Sequence, residues 1–401
     1  MRVKYGLSQV KSSDKFDFVL LAYLVVMAIT SFFAIFSAFG VIGPEAGMNY
    51  LTKQIVWFSV GFIALAFIMY LGNDSIFQFA KIAYWILMGC LIYLFLSRLL
   101  YTFVGGRTLP LTDDVNGAIS WFFLPGFSFQ PSEFMKIVLI IITAQVIDDH
   151  NKNQLINSFE MDFQLFLNIA KWALPPMILI LLQPDTGVVF IIAISLLAMV
   201  LCSGINKEWI WLIVAIIVGA IGIFAYLYTF HFQFLHDLLG YKIDRITSLL
   251  DPESNMKNEG FQQYLSLLII GSSGLKGYGL QQFITYFPEA QTDLIFVVIA
   301  QTWGLMGTMF IVLLCIGLDF HLCKIASRTK SMFEKYIILG VLGMTLYQQV
   351  QNIGMLVGLL PITGITLPLI SYGGSSLLSY LAAFGIIMNT SSKRNDTPEL
   401  S

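Results

Sequence analysis

Ten apolar runs recur along the 401-residue chain, at about 18–39, 55–72, 82–96, 134–147, 164–182, 187–203, 209–230, 294–318, 336–360 and 367–388. Runs of this length bounded by polar segments read as membrane-crossing helices. Several fall short of the ~20 residues that cross a bilayer straight. Their polar flanks, such as Ser132-Glu133 and Gln183-Pro184-Asp185, then extend into membrane depth. Such depth is tolerated only where the backbone faces protein or a wet cavity. The pattern predicts an all-α polytopic membrane protein with about ten transmembrane helices and a polar cavity near one face. It also predicts a long extracellular loop, 231–293, between helices 7 and 8. Within that loop Phe261 to Ile270 is weakly apolar and is followed by Gly271-Ser272-Ser273-Gly274, which reads as an interfacial helix and a flexible turn. The first run has 22 residues and lacks an A-x-A-like end, so it reads as a retained helix instead of a cleaved signal.

Composition agrees. Apolar residues make up 57% of the chain and charged residues 11%, against roughly 45–50% and 25% in soluble domains. So few charges cannot cover a soluble surface. The net charge of −2 says nothing about nucleic acid, but the chain has no basic patch of the density a nucleic-acid partner needs. Cys90, Cys202, Cys315 and Cys323 lack metal-like spacing and read as small core residues. With the N-terminus inside, the inner segments hold fourteen Lys and Arg and the outer side eight, four of them in the exempt long loop. The expected layout is a cytoplasmic segment 1–17, a transmembrane domain 18–390 and a cytoplasmic tail 391–401, with both termini cytoplasmic.

Four polar clusters fall on the predicted outer side. The first is Asn116-Gly117-Ala118 with Trp121, then Gln130-Pro131-Ser132-Glu133 and Lys136. Pro131 suits a first helical turn and Glu133 its N-terminus. Glu133 and Lys136 are three apart and share a face, either as an anchoring ion pair or as a cradle for a pyrophosphate. The second is Gln183-Pro184-Asp185-Thr186-Gly187, where Asp185 is a helix cap or a substrate ligand. The third is Arg245 with Asp251-Pro252-Glu253; a guanidinium binds oxyanions bidentately, whereas Asp251 also suits a plain turn. The fourth is Pro288-Glu289 with Thr292-Asp293, at the mouth of an apolar run. A carboxylate there is costly to desolvate, so it marks either a helix cap or a catalytic group. A fifth, glycine-rich motif runs from Gln351-Asn352 to Ser371-Tyr372-Gly373-Gly374-Ser375-Ser376 and reads as close packing and cavity wall. The four histidines are scattered and read as structural.

Taken in order, Asn116-Gly117-Ala118 with Trp121, Gln130 to Glu133 with Lys136, Gln183-Pro184-Asp185, Pro288-Glu289 with Thr292-Asp293, and Asn352 to Ser375 resemble the RodA/FtsW/SpoVE proteins. These are the SEDS family (shape, elongation, division and sporulation), and the resemblance spans about residues 18–390. Leu249 to Ser254 is more similar to the RodA branch. The resemblance implies a peptidoglycan glycosyltransferase that polymerises lipid II at the outer membrane face for cell elongation and shape. It places the catalytic aspartate at Asp293. Around it the substrate-binding candidates are Lys136, Glu133, Gln130, Arg245, Asp185, Asp251 and Glu289. It further implies a divalent cation (Mg2+ or Mn2+), for which Asp293 is the candidate ligand. The implied partners are lipid II, a class B penicillin-binding protein and other elongation or division machinery. The chain departs from the family pattern in two places: Ser120 replaces an arginine, and Gln301-Thr302 replaces two glutamates, which removes charge from the expected cavity. The competing readings are a lipid II flippase or transporter and a non-catalytic scaffold that activates a penicillin-binding protein.

Overall fold

The computed structural model describes residues 16–115, 117–153, 159–240, 243–251, 253, 260–280, 282 and 285–393. Ten long helices appear where the ten apolar runs predict them: α1 (Phe18–Ser37), α3 (Pro44–Leu71), α4 (Asn73–Phe103), α5 (Pro131–Asn153), α6 (Phe159–Leu182), α7 (Thr186–Leu201), α8 (Lys207–Phe230), α12 (Ile295–Arg328), α13 (Met332–Leu356) and α14 (Gly374–Lys393). Short helices α2 (Phe39–Ile42), α9 (Phe232–Leu239), α10 (Asp244–Leu250) and α11 (Gly260–Ser272) fill the connections. The strands β1 (Phe122–Leu124) and β2 (Phe127–Phe129) form one antiparallel hairpin, with Phe122 opposite Phe129.

Helix starts follow local chemistry. The Asp17 carboxylate accepts from Leu20 N at 3.0 Å and caps α1. Ser331 caps α13 by accepting from Glu334 N. Gly43 (φ +89°) turns the chain ahead of Pro44, which opens α3 with its φ already set. Expected and observed bounds differ mainly at polar ends. The run 55–72 belongs to a helix that starts at Pro44, and the run 367–388 to one that starts only at Gly374.

Six helices are long and apolar enough to span on length and composition: Phe18–Ile42, α3, α4, α6, α8 and α12. Of the other four, α5 is enclosed: from Pro131 to Ala144 every residue but Phe134 is buried. Helices α13 and α14 also lie inside, and so can carry polar side chains that face protein. Helix α8 is the opposite case, with no buried residue along its length. Small residues allow the close approaches. A Cβ on Gly340 of α13 would come within 2.7 Å of Ile140 and Met199, and one on Gly343 within 2.8 Å of Ala198.

One prediction needs correction. The glycine-rich segment after α11 was expected to be a flexible turn, but it is hydrogen-bonded across a break in α12. Gly304 adopts φ 63°, ψ −152° and interrupts the helical ladder. The carbonyls of Gln301 and Thr302 accept from Tyr278 N and Gly279 N at 2.7 and 3.1 Å. Leu305 N and Met306 N donate to the carbonyls of Gly274 and Leu275 at 2.9 and 3.2 Å. Backbone freed at this depth must find protein partners, and this segment supplies them. Side chains are excluded by the closeness: a Cβ on Gly277 would collide with the Thr302 backbone at 2.5 Å.

Candidate active site at one end of the bundle

The connections after α4, α6, α8 and α13 converge on one end of the bundle, around a cavity of about 510 Å3. Gln130 and Glu133 reach it from the start of α5, Asp185 from the cap of α7, Arg245 from α10 and Glu289 from the loop before α12. Trp121 from the hairpin lead-in, and Thr363, Gly364 and Tyr372 from the α13–α14 connection, complete much of the wall.

The first two predicted clusters are tied to each other. Gln130 Nε2 donates to Asp185 Oδ2 at 2.8 Å. Asp185 Oδ1 accepts from Val188 N at 3.4 Å, so this residue both caps α7 and lines the cavity. Burial, reinforced by the Glu133 charge, pushes the Asp185 carboxyl up to about 6, against the bonds from Val188 and Gln130 and the charge of Lys136. Lys136 is not in the wall. It lies beneath it, 2% exposed, with Nζ 2.8 Å from Glu133 Oε2 and 5.2 Å above the Tyr380 ring. Tyr380 in turn donates to Gln348 Oε1 at 2.7 Å, and Gln348 reaches the cavity. The pair is thus an anchor and a wall at once. Its carboxylate faces the hollow while its cation is held in reserve below.

Asp293 lies one layer back. Its side chain is 8% exposed, and its neighbours Thr292 and Gly364 form the wall. Thr292 Oγ1 sits 2.7 Å from Glu289 Oε2 and 3.1 Å from Asp293 Oδ1, so one hydroxyl bridges two carboxylates. A Cβ on Gly364 would stand 3.8 Å from Asp293 Oδ2; glycine leaves that side of the carboxylate without a covering side chain. The helix-cap reading of Thr292 and Asp293 does not hold. The cap position of α12 is Leu294, which has no side-chain capping bond. Burial pushes the Asp293 carboxyl up to about 6, with help from the Glu289 charge and against bonds from Thr292 and nearby backbone N–H groups. The backbone here is fixed from two sides. Asn352 Nδ2 donates to the Asp293 and Ile365 carbonyls at 2.8 and 2.7 Å, and Tyr372 N donates to the Gln291 carbonyl at 2.9 Å. Glu289 itself holds φ +55°, a costly backbone for a side-chain-bearing residue and a mark of functional loops.

Several predicted residues lie elsewhere. Asp251 follows the last turn of α10, exposed, and is not part of the wall. Gln301, expected to mark charge lost from the cavity, instead donates to the Gln282 carbonyl at 2.8 Å behind the Gly304 break. Ser120 is buried and outside the wall. Asn116, Pro252 and Ser254 lie outside the described residues. Gln348, Tyr50, Lys53 and Trp57 line the cavity without having been singled out. Gln348 was detectable as a polar side chain inside an apolar run, and the other three by their shared helical face.

The family model described as cell cycle protein, FtsW/RodA/SpoVE, matches residues 16–396. The chain belongs to this family. It is 33% identical over 342 residues to the stage V sporulation protein E of Bacillus subtilis, covering 84% of this chain and 86% of that one. It is 30% identical over 395 residues to the probable peptidoglycan glycosyltransferase FtsW of Geobacter sulfurreducens, covering 97% and 98%. To the peptidoglycan glycosyltransferase MrdB of Escherichia coli it is 33% identical over 304 residues, covering 73% and 78%. Among solved structures it is similar to the Thermus thermophilus rod shape determining protein RodA, with TM-score 0.64 at 25% identity over 94% of this chain and 97% of that one. A chain from a peptidoglycan synthase complex shares the fold with TM-score 0.74 at 24% identity, over 94% and 98%. The family and the six long apolar helices make this a multi-pass membrane protein.

Among the described residues no three His, Cys, Asp or Glu side chains gather as a metal site. Glu289 and Asp293, both within reach of the Thr292 hydroxyl, would supply two carboxylates to a divalent cation, and substrate phosphates would have to supply the remaining oxygens.

Proposed function

We propose that this SEDS protein is a peptidoglycan glycosyltransferase that polymerises lipid II at the outer membrane face, with Asp293 as general base. The observation that carries the reading is the buried Asp293 carboxylate beside Gly364 and Thr292 at the cavity edge, with its proton affinity raised to about 6. A carboxyl with that affinity is ionised near neutral pH yet still basic enough to take a proton. In the reaction an acceptor sugar hydroxyl attacks the anomeric carbon of a second substrate. The new C–O bond forms as the bond to pyrophosphate breaks, the hydroxyl proton passes to Asp293, and the pyrophosphate leaves with the bonding pair. Arg245, and the Lys136 charge acting through Glu133, set the field in which the leaving group's charge develops.

The long loop carries Arg245 into the same cavity, which supports an extracellular placement of residues 231–293 and cytoplasmic termini. We assign the chain to the elongation, RodA-like role on the Leu249–Ser254 segment, with a class B penicillin-binding protein as the crosslinking partner. A transporter would need a polar path onward from the cavity. Below Lys136 the α5 interior continues as Leu139, Ile140, Ile141 and Ile142, all buried, which favours chemistry over passage.

The test is a gel assay of lipid II polymerisation by the purified protein. Asp293→Asn is expected to insert and fold normally while losing on the order of 10²–10⁴-fold in rate. Near-normal polymer from that variant would overturn the assignment.

A further inference from the structure

Tyr50, Lys53 and Trp57 follow one another at spacings of three and four on the first half of α3, so they share one helix face. All three line the cavity. The transfer mechanism above uses none of them. The register of α3 against this wall is fixed by Gln54, which is fully buried. Its amide nitrogen donates to Ser31 Oγ at 3.0 Å and to the Ser371 carbonyl at 3.1 Å, and its oxygen accepts from Gly373 N at 3.4 Å. The indole of Trp57 lies against the Gly374 backbone, where a Cβ would come within 2.6 Å of Trp57 Cε2. Glycine at the start of α14 is therefore what admits the ring. Phe127 stands edge-on to Trp57 at 6.1 Å and 74°, and Tyr372 edge-on to Tyr50 at 4.8 Å and 74°. The rings are braced by neighbours, yet Tyr50 and Trp57 stay half-buried and keep surface toward the hollow.

We propose that this stripe is the carbohydrate platform of the cavity: a pyranose ring stacks on the Trp57 side chain, Tyr50 extends the aromatic surface along the stripe, and Lys53 between them pairs with the phosphate the sugar carries. The C–H face of a sugar is weakly positive and meets the negative face of an aromatic ring, while a preformed ring loses little entropy on binding. An aromatic wall with few placed polar groups is the composition of a small-molecule site, and a lysine ammonium is a natural point charge for phosphate. This inference rests on the transferase reading of the same cavity and adds to it which wall holds the sugar.

The experiment measures binding to the full-length protein in nanodiscs, in an Asp293→Asn background. Two probes are used: lipid II, and undecaprenyl pyrophosphate without sugars. Trp57→Ala is expected to weaken lipid II binding about tenfold and leave the sugar-free lipid unchanged. Trp57→Phe, which keeps a ring, should stay within about threefold of the parent. Lys53→Gln should weaken both probes. Unchanged lipid II binding by Trp57→Ala overturns the platform. So does equal weakening of both probes, which would mark Trp57 as a support for α3 alone. A polymerising Asp293→Asn parent, seen separately on the gel, would sink the catalytic reading without touching the binding result.

Discussion

The two ends of the bundle hold comparable polar residues and use them differently. At the end opposite the cavity they are spent on one another. Asp17 accepts from Ser391 Oγ at 2.5 Å and lies 3.2 Å from His321 Nε2, which joins α1, α14 and α12. Asn73 Nδ2 donates to Glu334 Oε1 and Thr390 Oγ1 at 3.1 Å each, joining α4, α13 and α14. Asn206 donates to Asp162 Oδ2 at 2.6 Å, and Asn151 to the Tyr336 hydroxyl at 2.9 Å. At the cavity end Glu133, Asp185 and Glu289 also have partners, yet each still borders open volume. A buried polar group in a membrane protein is thus no marker of chemistry by itself. The marker is a polar group whose bonds hold it beside a hollow.

The sharpest way to break this comparison exchanges the same mutation between the ends. Asp293→Asn removes a base and should lose on the order of 10²–10⁴-fold in polymerisation rate with its melting temperature kept or raised. Asp17→Asn removes a carboxylate bonded by Leu20 N, Ser391 and His321. It should cost about 1–3 kcal/mol of stability and leave the rate per folded molecule intact. If Asp17→Asn lowered the specific rate as far as Asp293→Asn, the two ends would not differ in kind.

Between the extremes lies the Glu133–Lys136 pair, which is structural below and faces the cavity above. Breaking a buried pair by removing one partner costs about 3–5 kcal/mol, because the other charge is left alone. Lys136→Met should therefore melt early. The double variant Glu133→Gln with Lys136→Met should recover most of that stability, since no bare charge remains, but not the activity. Thermal melts and the gel assay on the three proteins decide it. Recovery of both would reduce the pair to an anchor.

How far the sequence reveals this division depends on the length scale of the signal. The ten helices were legible because bilayer thickness sets the length of an apolar run. The cavity clusters were legible because Glu133, Asp185 and Asp293 adjoin such runs, where a carboxylate is costly. Sequence does not show what a polar side chain finally meets. Asp251 read as a site residue and Gln301 as charge lost from the cavity, yet one is exposed beyond α10 and the other props the Gly304 break. That break is satisfied by backbone groups of residues 274–279, which leave no side-chain signature. The Asp17 clasp joins residues 304 and 374 positions apart, beyond any local pattern. The α3 stripe had a readable spacing, but only the cavity shows that Tyr50, Lys53 and Trp57 face something other than lipid.

Acidity separates the two ends with opposite sign. Burial raises the Asp293 and Asp185 carboxyls from 3.8 to about 6. A raised acid contributes stability that is complete below its unfolded value and is lost as pH climbs through the folded one, here between about 3.8 and 6. Burial also pushes Asp17 up, but the bonds from His321, Ser391 and Leu20 N–H outweigh it and hold this carboxyl below the usual range. Its contribution is present above the unfolded value and is lost as pH falls. Polymerisation should drop about tenfold per pH unit below about 6, as Asp293 takes up a proton, and level off above. A pH–rate profile flat from 5 to 7 would remove Asp293 as the titrating base. In melts from pH 4 to 7, Asp293→Asn should gain relative to the parent up to about pH 6, whereas the deficit of Asp17→Asn should hold nearly constant there and shrink only below about pH 3.8.

The smallest effect tests whether the inner clasp is merely additive. Ser391 donates to a carboxylate that also holds His321 and the Leu20 N–H, so the partner stays bonded when the hydroxyl is deleted. Ser391→Ala should then cost about 1 kcal/mol, the net value of one hydrogen bond, with polymerisation unchanged. In the Asp17→Asn background the same deletion should cost less, because a neutral amide is a weaker acceptor than a carboxylate. A double-mutant cycle on melting temperature reads the difference. Equal cost in both backgrounds would show Ser391 acting by packing and not through the charge on Asp17. The inner end would then be an ordinary helix contact, and the contrast with the cavity would rest on Glu133, Asp185 and Asp293 alone.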